Sequence, residues 1–381
     1  MKIVYCLIDA SRIGGMERVV CGKANYLVEK LGYDVHIVTT DQGEKKSHFP
    51  FSKKIIFHDL GINYFELEQL SPLSRIIKQI GKRQKHRQSL KRLLMELRAD
   101  IVISTYTHEF TLLCNIKDDQ SKKIAEIHFS KEYNKVDNKI KKQPIISKAI
   151  SILAEKRKHF YISRYDKFVV LTKKDQENWT KPDNVEQIYN MVPFSTHQVS
   201  SLKNKRVISV GRLSSEKGFD LLIDAWVIVS EQYPDWTLDI FGEGSEYDRL
   251  CVKISEEKLS ESVRINTPTQ DIVTEYLNSS IFVLSSRHEG FGMVLLEAMS
   301  CGIPCISFNC PNGPQEIIRD REDGFLVKNE SIHELAEKIK LLIVDESLRK
   351  EMGVEAKKNV ERFSPDSIMK EWDTLFKSLV E

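Results

Sequence analysis

Two carboxylates stand eight positions apart in the stretch 285–315, SSRHEGFGMVLLEAMSCGIPCISFNCPNGPQ: Glu289 and Glu297. Gly290 and Gly292 lie between them, and the apolar run IFVL comes just before. A helix starting near Phe291 aims the amides of Phe291, Gly292 and Met293 at the preceding loop, where they can hold a phosphate. Glu297 then lies further along that helix, where a carboxylate can accept bonds from the vicinal hydroxyls of ribose. Glu289 stays in the loop, nearer a sugar. Singly, each Glu reads as an ordinary surface residue; the ordered set of strand, Glu, glycines and helical Glu is hard to assemble by chance.

A second constellation is GRLSSEKG at 211–218, directly after the β-forming run RVISV. Arg212 and Lys217 would sit beyond the carboxyl end of a parallel strand, where open sheets bind ligands. Arginine clamps phosphate oxygens in a fork and lysine supplies a point charge. With glycine at each end, the short loop lets both converge on one diphosphate; a solvated pair of cations is the plain alternative. Gly14 and Gly15 follow the first apolar run and allow backbone amides to approach an anion at a helix terminus. Their spacing does not fit the GxGxxG fingerprint, and Asp41 lies several residues beyond the second strand, so a structural turn competes.

These residues need a frame. Lys2–Leu7 (KIVYCL), a helical pattern through Ala24, Leu27 and Val28, and the run VHIV at 35–38 read as strand, glycine turn, helix and strand. Further strands are expected at 55–57, 101–103, 124–127 and 168–171, apolar throughout as in a sheet covered on both faces. A second cycle opens at 206–210, with strands at 237–241, 263–265, 281–284 and 304–307. Pro193 and STHQVSSLKNK mark 193–205 as a linker. The division expected is therefore 1–192, a linker, a domain at 206–362, and a helix at 363–381; spacing leaves open whether that helix packs back on the first domain.

A chain of 381 residues fits two or three domains of ordinary size. The net charge of +2 conceals an asymmetry. Residues 1–200 hold 35 Lys+Arg against 23 Asp+Glu, whereas 201–381 hold 22 against 32. The first half thus attracts phosphate or anionic lipid. The stretch 75–98 holds nine Lys/Arg and His86 against Glu96 alone, with Ile76, Ile77, Ile80, Leu90, Leu93, Leu94 and Leu97 as its apolar side. It could lie on an anionic membrane or face a polyphosphate, or be an ordinary helix with a solvated basic face. Seven scattered cysteines (6, 21, 114, 251, 301, 305, 310) suggest neither a disulfide framework nor a zinc knuckle. Without a signal-like segment or an 18-residue apolar run, a cytoplasmic protein is expected. Nucleic acid is not an expected partner, since no helix-turn-helix, zinc spacing or RNP-like strand appears.

GGMERV near the start, GRLSSEKG, FGEG and EGFGMVLLEAMSCGIP together resemble the retaining glycosyltransferases of family four. The last of these carries the family's Glu-x7-Glu pattern, and CPNGPQEII resembles members that use UDP-hexoses or UDP-N-acetylhexosamines. The resemblance implies an α/β protein of GT-B architecture, two Rossmann-like domains facing each other across a cleft. It implies that Arg212 and Lys217 neutralise the donor diphosphate, that Glu297 binds ribose, and that Glu289 contacts the transferred sugar beside the backbone of Phe291, Gly292 and Met293. Gly242, Glu243 and Gly244, with the loop around 269–272, would border the base. Gly14 and Gly15 would lie near the diphosphate and acceptor, and His128, in IAEIHFS, would be the active-site histidine. Asn266 and Pro268 stand where the family often has glycine.

The activity implied is transfer of a sugar from UDP-sugar to a glycan acceptor, with no cofactor and no metal, since two cations take the place of Mg²⁺. A polyprenyl diphosphate-linked acceptor and an anionic membrane surface are the expected partners, in cell-surface polysaccharide or glycoconjugate biosynthesis. The protein would then be peripheral on the inner face of the plasma membrane. An epimerase or phosphorylase of the same paired-domain fold, and a non-catalytic scaffold, are the alternatives.

Overall fold

The structure, a computed structural model, describes residues 1–131, 145–179, 183–194 and 196–381. The chain forms two compact units, one of Met1–Met191 with Pro365–Glu381 and one of Val192–Ser364. Each is built on a fully parallel sheet.

The first unit's seven strands are β1 (Lys2–Leu7), β2 (Asp34–Thr39), β3 (Ile56–Asp59), β4 (Ile101–Ser104), β5 (Lys122–Glu126), β6 (Lys167–Val170) and β7 (Val185–Gln187), in the order β3-β2-β1-β4-β5-β6-β7. The second unit repeats this order with β8 (Arg206–Val210), β9 (Thr237–Phe241), β10 (Val263–Asn266), β11 (Ile281–Leu284), β12 (Cys305–Phe308) and β13 (Gly324–Val327), arranged β10-β9-β8-β11-β12-β13. Two Rossmann-like sheets result, each with a switch point where the chain winds away in both directions: between β1 and β4, and between β8 and β11.

The central strands are buried along their length because helices cover both sheet faces, so Ile3, Val4, Val102, Ile103, Val207 and Ile208 are fully inaccessible. Two strands lie outside the apolar runs read from the sequence. β7 is VEQ, a half-buried edge strand with a single apolar residue, and β13 opens on Gly324, where a Cβ would lie 2.2 Å from the Cys305 carbonyl oxygen. The expected linker 193–205 belongs to the second unit, on which Ser200 and Leu202 pack. Ser200 N donates to Cys301 O at 2.8 Å, and Leu202 is buried with its carbonyl accepting from the Arg349 guanidinium. The last helix, Pro365–Val380, completes the first unit's core with Ile368, Met369, Trp372 and Phe376, and its Asp366 and Asp373 accept from Tyr26 and Tyr33.

The helix Pro72–Leu97 follows two courses. Its second half buries His86, Leu90 and Leu94 in the core, whereas every residue from Ser71 to Gly81 is exposed. Ile76, Ile77 and Ile80 therefore do not share the buried side of Leu90 and Leu94.

Candidate active site

β8 and β11 are hydrogen-bonded neighbours, with Val207 opposite Ile281, so the loops leaving their carboxyl ends emerge side by side at the switch point. Those loops contain Arg212–Lys217 and Glu289. They lock together through the backbone. Arg287 N donates to Glu216 O at 2.8 Å, Ser285 Oγ donates to Lys217 O at 3.0 Å, and Arg287 Nη1 donates to Ser215 O at 2.6 Å. Gly218 makes the contact feasible. Its φ is +62°, and a Cβ there would stand 2.1 Å from the Ser285 carbonyl oxygen.

The lock brings two of the expected residues into direct contact. Lys217 Nζ donates to Glu289 Oε1 at 2.6 Å, and Ser286 Oγ donates to the same oxygen at 2.7 Å. The carboxylate is 8% exposed and the ammonium 22%, so the pair is shielded on one side and open on the other. Arg212 leaves the same loop toward solvent, and among the described residues no carboxylate pairs with it. The loop thus carries an exposed guanidinium and a half-buried cation already shared with a carboxylate.

A third loop closes the group. Gly242 follows β9, and a Cβ on it would lie 1.9 Å from the Gly211 carbonyl oxygen; Leu213 N donates to Glu243 O at 2.8 Å. Glu243 itself is exposed. Asn266, at the end of β10, receives the amide of Gly242 on its carbonyl and donates its own Nδ2 to Asp239, so the residue that departs from the family pattern is built into this loop stack. Asp271 caps the helix Ile272–Leu277 by accepting from Thr274 N.

The helix after β11 runs Met293–Ser300, two residues later than the sequence suggests, because Gly292 takes a φ of +97° and turns the chain before it coils. The amides without an intrahelical partner therefore begin at Met293 rather than Phe291, whose ring is buried edge-on to Phe363. Glu297 is 3% exposed and accepts from the Tyr276 hydroxyl at 3.0 Å.

In the first unit Gly14 caps the helix Gly15–Glu29 in an extended conformation, and the Glu17 carboxylate folds back to within 2.2 Å of where a Gly14 Cβ would be. Gly15, by contrast, has open space around it. His128, two residues beyond β5, has its Nε2 3.4 Å from Glu126, and neither ring nitrogen makes a hydrogen bond among the described residues. Burial pushes its imidazole below the ordinary range; Glu126 pulls upward and Lys23 pushes down again. Glu126 is in turn pinned by Lys23, whose Nζ reaches both carboxylate oxygens at 2.7 and 2.6 Å and lies 3.5 Å from the Trp372 ring centre. Burial works to raise the Glu126 carboxyl, yet Lys23 and His128 hold it below the usual carboxylate range.

Lys23, Glu126, Ser286 and Tyr276 were not singled out from sequence. A signal existed for two of them: Lys23 interrupts the apolar face of Val20, Ala24 and Leu27, and Glu126 interrupts an apolar strand. A buried charge within an apolar pattern implies a partner. Among the described residues no three His, Cys, Asp or Glu side chains are grouped to hold a metal ion, and no helix is long and apolar enough to cross a membrane.

Residues 195–359 match the family described as Glycosyl transferases group 1. An uncharacterized glycosyltransferase of Haemophilus influenzae is 29% identical over 378 residues, covering 97% of this chain and 98% of that one. The amylovoran biosynthesis glycosyltransferase AmsD of Erwinia amylovora is 35% identical over 237 residues, 59% of this chain and 66% of its own length. Among solved structures, a TarM variant of S. aureus in complex with UDP superposes with a TM-score of 0.78 at 17% identity, over 98% of this chain and 99% of that chain. The fold is thereby the GT-B architecture.

Proposed function

This chain belongs to the group 1 glycosyl transferases, and we propose that it moves a hexose or N-acetylhexosamine from a UDP-sugar to a glycan acceptor with retention of anomeric configuration. The acceptor is a polyprenyl diphosphate-linked glycan, and the product enters a cell-surface polysaccharide or glycoconjugate. The observation that carries this reading is the Lys217–Glu289 contact, which joins a cation of the loop that also carries exposed Arg212 to a carboxylate at the β8/β11 switch point. The structurally similar TarM was solved with UDP, and AmsD is named for amylovoran biosynthesis, which supports the donor and the pathway class.

As the glycosidic bond breaks, negative charge grows on the departing diphosphate. Arg212 and Lys217 meet it, with the amides at the start of Met293–Ser300 adding their dipole. Preorganised cations of this kind stabilise the transition state more than the ground state, since the charge is not fully developed beforehand. Glu289 orients Lys217 and offers its carboxylate to sugar hydroxyls, while Glu297, steadied by Tyr276, reads the ribose. Phe291, Gly292 and Met293 contribute backbone, and Gly242 and Glu243 border the base. His128, neutral at pH 7, serves the sugar as a hydrogen-bonding group, with Gly14 and Gly15 on the acceptor side. The diphosphate oxygen takes the acceptor proton. Two cations do the work of a divalent ion, so no metal is required, and the protein acts at the inner face of the plasma membrane from the cytoplasm.

A donor panel read by UDP release, first with water and then with lipid-linked acceptors, tests this directly. Turnover that persists in EDTA and a product whose anomeric coupling matches the donor are expected. An inverted product, or loss of turnover in chelator restored by Mg²⁺, would overturn the mechanism.

A further inference from the structure

The helix Pro72–Leu97 is longer than the sheet it packs on. Twenty-six residues of helix span about 39 Å, whereas the six residues of β1 span about 20 Å. The carboxyl end of the helix is fixed at the amino end of the sheet, where Lys2 Nζ donates to Leu97 O at 3.0 Å. The excess therefore extends past the other end, the one from which the loops after β1, β4 and β5 emerge. Lys82 anchors the point of departure, donating to Ile62 O, Asn63 O and Glu66 at 2.5, 2.7 and 2.9 Å.

Beyond that anchor the helix carries an apolar stripe that no described residue of its own unit covers. Leu73, Ile76, Ile77 and Ile80 fall on one helical face and are 78%, 57%, 73% and 64% exposed. Arg75 and Lys78 flank the stripe, and among the described residues no carboxylate pairs with either. No acidic residue occurs from 72 to 95. A second copy laid stripe to stripe would bring two strongly basic helices together, so charge disfavours that pairing. An apolar face edged only by cations matches one occupant, the boundary between acyl chains and anionic headgroups.

We propose that Leu73, Ile76, Ile77 and Ile80, with Arg75 and Lys78, dock the first unit on an anionic membrane. This rests on the membrane-borne acceptor proposed above and assigns its delivery to a surface. The projecting turns stand at the end of the sheet where the segment bearing His128 also emerges, so docking holds that end against the bilayer, where the sugar of a polyprenyl-linked acceptor lies.

Flotation of the full chain with phosphatidylcholine vesicles, with and without phosphatidylglycerol, tests the proposal. Binding is expected on the anionic vesicles only. Arg75→Gln with Lys78→Gln should lower the partition coefficient roughly 30-fold, from about fivefold per basic residue. Ile76→Ser with Ile77→Ser should lower it at least about tenfold by removing buried apolar area. UDP release to a soluble acceptor should be unchanged in both, as should thermal melting, since these side chains touch no core. Equal binding to neutral vesicles, binding that survives both double variants, or a wild-type dimer dissolved by the isoleucine pair would each overturn the docking surface. Absence of UDP release in the wild type would instead count against the transfer reaction and leave the flotation result to stand alone.

Discussion

Gly15 and Gly218 look alike in sequence, each a glycine at the start of a helix in a loop expected to meet phosphate, and alanine should separate them sharply. At Gly218 the added methyl meets the Ser285 carbonyl oxygen at 2.1 Å, a distance real Cβ contacts do not show, and the opposing atom is backbone rather than a yielding side chain. A φ of +62° adds left-handed strain of about 1–2 kcal/mol. To admit the methyl, the loops must part by about 1 Å, which loosens Arg287 N→Glu216 O and Ser285 Oγ→Lys217 O, worth about 1 kcal/mol each. The stiffer unfolded chain returns about 0.4–1 kcal/mol. The net cost is about 3 kcal/mol, or about 6–12 °C in the melting of a unit this size. Gly15 has nothing within 4 Å and no positive φ, so Gly15→Ala should lie within about 0.5 kcal/mol of wild type, on the stabilising side. Calorimetry gives the stability difference. UDP release at 25 °C, where both variants are folded, should fall at least about tenfold for Gly218→Ala alone, because Lys217 and Glu289 are held by the same contact. Indistinguishable melting and turnover for the two variants would refute the idea that the loop lock builds the site.

Lys217→Met should reduce turnover by about 10²–10³, and combining it with Glu289→Gln should cost little more than the worse single variant, because residues acting as one unit are not additive; multiplicative losses would show independent roles. Lys23→Met strands the buried Glu126 carboxylate and should destabilise the first unit by about 3–5 kcal/mol, with Lys23→Met/Glu126→Gln recovering most of it by chemical denaturation. His128 is held below its ordinary 6.5, so the unfolded chain binds more protons as pH falls through that value and the first unit loses stability on acidification. His128→Gln should lessen, without abolishing, the fall of the denaturant midpoint between pH 7 and 5.5, since burial also holds His58, His86 and His108 of the same unit low; an unchanged slope would mean that His128 takes no part in it.

Much of the frame was legible because it is local. Nine of the central strands announce themselves as apolar runs, since a strand covered on both faces has no polar side to show. β7 and β13 did not, one being a polar edge and the other opening on a glycine chosen for close packing rather than for strand propensity. The helix Met293–Ser300 was legible to within two residues, and its start shifted because the conformation of Gly292 is a tertiary choice. Similarly, the apolar residues of 75–98 read as a single side, whereas the structure divides them between core and solvent where the helix outruns the sheet.

The sequence by itself determined the two αβ cycles, the residue types at each strand end and the motifs that mark a sugar transferase, because periodicity, glycine placement and charge act over a few neighbouring positions. Only the tertiary structure decided which strand ends are neighbours. That choice sets Lys217 against Glu289 across 72 positions, turns Glu297 to Tyr276, gives Lys23 a buried partner in Glu126, and leaves the first turns of Pro72–Leu97 without a core. Through-space contacts depend on sheet order and element length together, and no local stretch of chain encodes either.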